Sequence, residues 1–194
     1  MQRKAFDLLA SGVGAMLVAV LLVAGVLALW GYSFDNSSVH SQLAQQDIFF
    51  PAKGSPELAN PEIGPYLDKY AGQQLLTGPE AQAWANHFIA VHLSEMPYGG
   101  VYAKVSAAAL ADPSNKSLAA LETLTFQGTT LRGLLLEAYG FWFFGQIAML
   151  AGLACFVLAA LLAVLVTFGL WHARRVPEDA PLIPSSTEGV AVPA

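Results

Sequence analysis

The fold of this protein is decided by residues 147–171, which read IAMLAGLACFVLAALLAVLVTFGLW and contain no charged side chain. A second stretch of the same kind, ASGVGAMLVAVLLVAGVLALW, covers residues 10–30. A membrane hydrocarbon core of about 30 Å takes roughly 20 helical residues to cross, so each stretch can span it once. Helices of soluble proteins average about 11 to 12 residues, which favours transmembrane helices over buried ones.

Basic residues flank the two apolar stretches on one side only. Arg3 and Lys4 precede the first, and Arg174 and Arg175 follow the second. Because positively charged flanks stay in the cytoplasm, both termini are predicted to be cytoplasmic and the segment between the spans extracytoplasmic. The chain is thus predicted to be a two-pass protein of the plasma membrane.

The first stretch also resembles a cleavable signal peptide, with a basic start and the small-residue pattern Val26-Leu27-Ala28. Its apolar run is longer than the usual signal core of about 7 to 15 residues. An uncleaved signal anchor is therefore the preferred interpretation.

The predicted fold class is all-α, with two transmembrane helices flanking an extracytoplasmic helical domain. The predicted parts are a cytoplasmic N-terminus (1–9), a first transmembrane helix (10–30), the extracytoplasmic domain (31–142), a second transmembrane helix (143–171) and a disordered cytoplasmic tail (172–194).

Within the predicted extracytoplasmic domain, helix signals are frequent and a period-two strand pattern is absent. Ser37 or Ser38 can cap a short helix through Gln46, and Gly78-Pro79-Glu80 predicts a helix that runs to about Glu95. Further helices are predicted at 102–111 and after Asp112-Pro113. Thr130 can cap a last helix that runs from Leu131 through the second span to Ala173, so that span is predicted to continue a long outer helix.

Charge and motif content exclude several functions. Acidic residues (14) outnumber Lys and Arg (9), so binding to nucleic acid is not expected. Neither span has an ionisable residue in its middle, which argues against a transporter formed by this chain alone. His172 could be a haem ligand, but no second histidine faces it within the bilayer. The only cysteine, Cys155, lies within the second span and cannot form an intramolecular disulfide.

No catalytic motif is found outside the spans either. The segment has no Gly-x-Ser-x-Gly elbow and no phosphate loop, so the protein is predicted to be non-enzymatic, with no catalytic residue and no cofactor. The weak metal candidates are His92, Glu95 and His40, two histidines and a carboxylate as in non-haem iron sites. His87 is five residues from His92, a poor spacing for one metal on a helix, and is predicted to be solvated.

Small residues at four-residue spacing let membrane helices approach closely. Two explanations stay open: the two spans pack on each other, or the small residues form a docking face for another membrane subunit. The residues are Ser11, Ala15 and Ala19 in the first span, and in the second either Ala148 with Gly152 or Ala151 with Cys155, Ala159 and Ala163.

Five runs of sequence resemble a family of small actinobacterial membrane proteins of unassigned function. They are RKAFD (3–7), KYAGQQ (69–74), HFIAVHL (87–93), TLRGLLL (130–136) and WHARRVP (171–177). Members of that family sometimes carry an aromatic ring-opening dioxygenase label, and the resemblance implies that label here without assigning it a site residue.

Together these patterns predict a non-enzymatic envelope protein that sits in the lipid bilayer. It is expected to act as an accessory subunit whose outer domain contacts a membrane or periplasmic protein. The alternative is a membrane-tethered non-haem iron dioxygenase using His92, Glu95 and His40.

Overall fold

The computed structural model describes residues 2–177 and residue 180, and its regular structure is helical, as predicted. In chain order the α-helices are α1 (Arg3–Gln45), α2 (Gly64–Leu67), α3 (Gly78–Trp84), α4 (Ala90–Ser94), α5 (Tyr102–Ala111) and α6 (Lys116–Ala173). A π-helical turn, Ala85–Ile89, joins α3 to α4, and 3-10 turns lie at Asp68–Tyr70 and Pro97–Gly100. Most of the predicted tail, 172–194, lies outside the described residues.

Both long helices extend further than the sequence predicted, although α6 ends at Ala173 as expected. Helix α1 continues without a break through Ser37 and Ser38, so the short capped helix predicted there is not a separate element. Helix α6 begins at Lys116 rather than Leu131. Its first turn is capped by Asn115, whose side-chain Oδ1 accepts a hydrogen bond from the Leu118 N–H at 3.1 Å. Thr130 is therefore an exposed residue inside the helix.

The chain divides into two compact units, Met1–Trp30 with Met149–Ala194, and Gly31–Ala148. The first is called the apolar helix pair and the second the middle region. Helices α1 and α6 are each long and apolar enough to cross a membrane, and only 11% of the most apolar 18-residue stretch in either is buried. Their large side chains are exposed, unlike those of a soluble core.

Within the apolar helix pair, the buried positions carry small residues. A Cβ added to Gly152 would lie 3.1 Å from the carbonyl oxygen of Gly25, so the two backbones nearly touch. Ser11 and Ala159 are also buried. At these positions the two long helices pack on each other, which is the first of the two explanations that the sequence left open.

Other predicted contact residues of the pair are not buried. Ala15 and Ala19 are exposed, and the first helix uses Gly14 instead. The reason is geometric: a straight helix repeats every 3.6 residues, so a strict spacing of four rotates away from the partner.

The middle region has a conventional core of large apolar side chains. Leu43 of α1, Leu67 of α2 and Leu135 of α6 are almost fully buried, and Trp84 and Ile89 pack among them. Ala81, Trp84, Ala85 and Ile89, on one face of the helix that begins at Gly78, are buried, whereas Phe88 and His92 on that face are half-buried. Cores of this kind stabilise a domain through burial of apolar area.

Two extended segments, 48–51 and 73–75, lie between helices of the middle region. They pair through backbone hydrogen bonds from Leu75 N–H to the Ile48 oxygen and from Phe50 N–H to the Gln73 oxygen, both 2.9 Å. This pairing turns Phe50 into the core, where its ring meets Trp84 edge to face at 5.2 Å.

Candidate functional site

The π-helical turn at Ala85–Ile89 is the most irregular feature of the helix that runs from Gly78 to Ser94. Its widened turn is closed by a hydrogen bond from the Ala90 N–H to the Ala85 oxygen, five residues back. Such single π turns inside α-helices are frequent at functional sites because they re-aim the side chains they carry. Here those side chains include Asn86 and His87.

His87 stacks on Tyr66, with ring centroids 3.5 Å apart and ring planes 6° from parallel. Burial in this stack lowers the pKa of His87 from its usual value of 6.5. The imidazole is therefore neutral at neutral pH and can donate one ring N–H. Tyr66 covers one face of the His87 ring, so the side chain predicted to be solvated is half-buried.

A cleft of about 410 Å³ opens beside this stack and is called the His87 cleft. Its polar lining comes from two elements, the segment that begins at Pro65 and the helix that begins at Gly78. The polar and aromatic side chains that line it are Tyr66, Lys69, Tyr70, Gln82, Asn86 and His87. The volume falls within the range of about 300 to 1,000 Å³ found for small-molecule sites.

Asn86 is oriented by a side chain from α6. Arg132 Nη2 lies 3.0 Å from Asn86 Oδ1, and a guanidinium can only donate, so the amide oxygen must face it. The amide nitrogen of Asn86 keeps both of its N–H groups for other partners. Arg132 Nε is buried with no hydrogen-bond partner among the described residues, so its charge is only partly satisfied.

The acidic residue next to the cleft in sequence, Glu80, is occupied elsewhere. Its Oε2 accepts hydrogen bonds from the backbone N–H groups of Leu76 and Thr77, each at 2.8 Å. This arrangement caps the helix that begins at Gly78. Among the described residues that line the cleft, none is acidic.

The metal candidates from the sequence are not brought together. His92 Nδ1 lies 2.7 Å from the carbonyl oxygen of Phe88, and Glu95 and His40 are exposed. Across residues 2–177 and 180, no group of three or more His, Cys, Asp or Glu side chains is placed to hold a metal ion. A metal at His40, His92 and Glu95, and the dioxygenase that the resemblance implies, stay hypotheses that metal analysis of the purified chain can test.

The pKa of Glu57 is lowered, first by a backbone hydrogen bond, then by the Ser55 side chain, and least by nearby His92. His172, considered above as a haem ligand, has its Nδ1 2.9 Å from the Asp7 carboxylate.

A second cavity, of about 560 Å³, lies in the middle region between residues 34–46 of α1 and 134–141 of α6. It is called the α1–α6 groove. Phe34, Leu134 and Phe141 line it and are each more than half exposed. The carboxylates of Asp35 and Glu137 also line it, and in the described chain no basic side chain does.

The residues of the cleft other than His87 were not found from the sequence. Their elements are far apart in the chain, and no ligand motif links Lys69, Asn86 and Arg132. The π turn that carries Asn86 also has no sequence signature.

No protein-family model matches this chain, and no curated protein or solved structure shows a significant similarity to it.

Proposed function

We propose that this chain is a two-pass integral membrane protein, with both termini in the cytoplasm and the middle region outside. The observation that carries the proposal is the exposure of large apolar side chains along both long helices. In the most apolar 18-residue stretch of each helix, only 11% of the residues are buried. In water such a surface would be costly, at about 25 cal/mol for each Å² of apolar area. In a bilayer it is the favourable surface.

The basic flanks support this orientation. Arg3, Lys4, Arg174 and Arg175 all lie at the ends of the apolar helix pair that carry the chain termini. A bias of this kind toward one side sets the orientation of short membrane proteins.

The middle region acts in this proposal as the interaction domain of an accessory subunit. The α1–α6 groove supports that role, since exposed apolar side chains gathered in one cavity are typical of binding surfaces. The occupant proposed for it is an amphipathic helix of a partner protein that carries a Lys or Arg beside its apolar face. The apolar face would contact Phe34, Leu134 and Phe141, and the basic residue would pair with Asp35 or Glu137.

The test is photo-crosslinking in cells, followed by identification of the crosslinked peptide. A photoreactive amino acid at Phe34 should capture one reproducible peptide with apolar residues at helical spacing and a basic residue. Leu134→Asn and Glu137→Lys should abolish the crosslink, because one removes an apolar contact and the other reverses the charge.

Leu124→Asn is the matched control, since Leu124 lies on the same helix, is 49% exposed and does not line the groove. It should leave the crosslink intact. Capture of lipid alone, or a crosslink that survives Leu134→Asn, would contradict the proposed partner. A chain that purifies as a lone monomer from several mild detergents would also count against it.

A further inference from the structure

The His87 cleft combines four side chains that share one chemistry. Lys69 supplies a positive charge and lies with its Nζ 4.6 Å from the centre of the Tyr70 ring. Gln82 and Asn86 supply side-chain amides, and His87 supplies a ring N–H. Each of these groups can donate a hydrogen bond toward the cavity.

Arg132 determines which half of the Asn86 amide is available. By donating to Oδ1 at 3.0 Å it occupies the amide oxygen, so the nitrogen is the half left to donate to a ligand. Arg132 is a positioning residue in this arrangement, and its charge also makes the potential behind Asn86 more positive.

The acidic side chains nearest in sequence do not neutralise this potential. Glu80 is held by the backbone N–H groups of Leu76 and Thr77. Asp68 lines a second cavity together with Lys53 and Lys69, so basic side chains outnumber acidic ones there as well. The cleft is thus positive within a chain whose formal net charge is −5.

From these features we propose that the His87 cleft binds an oxyanion, a phosphate or carboxylate group, carried on a small molecule or on a lipid headgroup. Lys69 neutralises the charge, and the amide nitrogens of Asn86 and Gln82 and the ring N–H of His87 donate hydrogen bonds to the oxygens. The stacked rings of Tyr66 and His87 form a flat wall for the remainder of the ligand. This site is separate from the α1–α6 groove and does not depend on a protein partner.

The test uses the full chain in detergent micelles at neutral pH, with ¹³C-labelled histidine observed by NMR. The chain has 4 histidines, so the signal of His87 can be assigned by the loss of one peak in His87→Gln. Titration with inorganic phosphate or with citrate should shift the His87 signal saturably. Choline, a cation, should not shift it.

Two variants connect the shift to the proposed contacts. Lys69→Met should weaken binding by about tenfold or more, the effect of losing one charge-assisted contact. Asn86→Asp should do the same by replacing the donor with a negative charge, while the new carboxylate pairs with Arg132 and keeps the local structure. Lys104→Met is the matched control, since Lys104 is exposed and does not line the cleft, and it should bind as the parent does.

The same titration in nanodiscs separates the two sources of the anion. A shift caused by phosphatidylglycerol without added phosphate identifies a lipid headgroup, whereas a shift that needs dissolved phosphate or citrate identifies a soluble ligand. The proposal is overturned if no anion shifts His87 saturably at concentrations on the order of 10 mM. It is also overturned if Lys69→Met and Asn86→Asp bind as tightly as Lys104→Met.

Discussion

The apolar helix pair and the middle region bury opposite kinds of residue. In the pair, Gly14, Gly25 and Gly152 are buried, whereas Leu158 and Phe168 are more than half exposed. In the middle region most buried side chains are large, including Leu43, Ile63, Leu67, Leu75 and Leu135, with Ala81 and Ala85 between them. The two regions belong to one chain, and two helices run through both.

This difference follows from the surroundings that each region is suited to. In water, large apolar side chains gain the most from burial, so they form the core. In lipid they gain nothing from leaving the solvent, and helices associate by close backbone contact at small residues. The size of the residues at buried positions therefore indicates whether a region is suited to water or to lipid.

The largest effect is expected where α6 crosses the core of the middle region. Leu136→Pro removes a helical hydrogen bond and displaces the neighbouring Leu135 from the core, so it should cost more than about 3 kcal/mol. Limited proteolysis of the purified chain should show rapid cleavage of the middle region. Leu136→Ala controls for the lost side chain and should stay more resistant. Equal resistance of Leu136→Pro and the parent would mean that α6 is not continuous there.

The same substitution should have different costs in the two regions. Leu75→Ala, in the core of the middle region, should lower the free energy of unfolding by about 3 kcal/mol through lost burial and a cavity. Leu158→Ala, at a position 54% exposed in the apolar pair, should change it by less than about 0.5 kcal/mol. Denaturant unfolding in micelles, followed by tryptophan fluorescence, measures both. Similar costs at both positions would show that the two regions do not differ in how much a leucine side chain stabilises them.

The reverse substitution tests the small residues. Gly152→Val adds a side chain where a Cβ already lies 3.1 Å from the Gly25 oxygen, and it should destabilise the helix pair by about 2 kcal/mol. Gly12→Val is the control, because nothing lies within 4 Å of a Cβ there. Unfolding by increasing SDS in mixed micelles should separate the two variants. If they unfold together, close packing at Gly152 is not what holds the pair.

The smallest effect concerns where α6 begins. Asn115→Ala removes the acceptor for the Leu118 N–H and should cost about 1 kcal/mol. Thr130→Ala should be neutral or slightly stabilising, since alanine is the better residue inside a helix. Thermal unfolding monitored by circular dichroism compares them. The opposite order would favour a helix that starts at Leu131.

Much of this fold can be predicted from local pattern. The apolar stretches, the helix start at Gly78-Pro79-Glu80 and the bounds of α5 follow from length, proline position and spacing. The helix predicted after Asp112-Pro113 and the one predicted from Leu131 are a single helix, α6, because Thr130 can cap a helix but does not start one here. The His87 cleft could not be predicted at all, since it depends on tertiary contacts between residues such as Tyr66 and His87 and on a π turn without a sequence signature.

Cysteine labelling in intact cells tests the membrane placement most directly. Cys155→Ala removes the only native thiol, and Ser41→Cys and Gln2→Cys then place single thiols at exposed positions. The account predicts that a membrane-impermeant maleimide labels Ser41→Cys in intact cells and labels Gln2→Cys only after the membrane is opened. Labelling of Gln2→Cys in intact cells, or of Ser41→Cys only after opening, would contradict it.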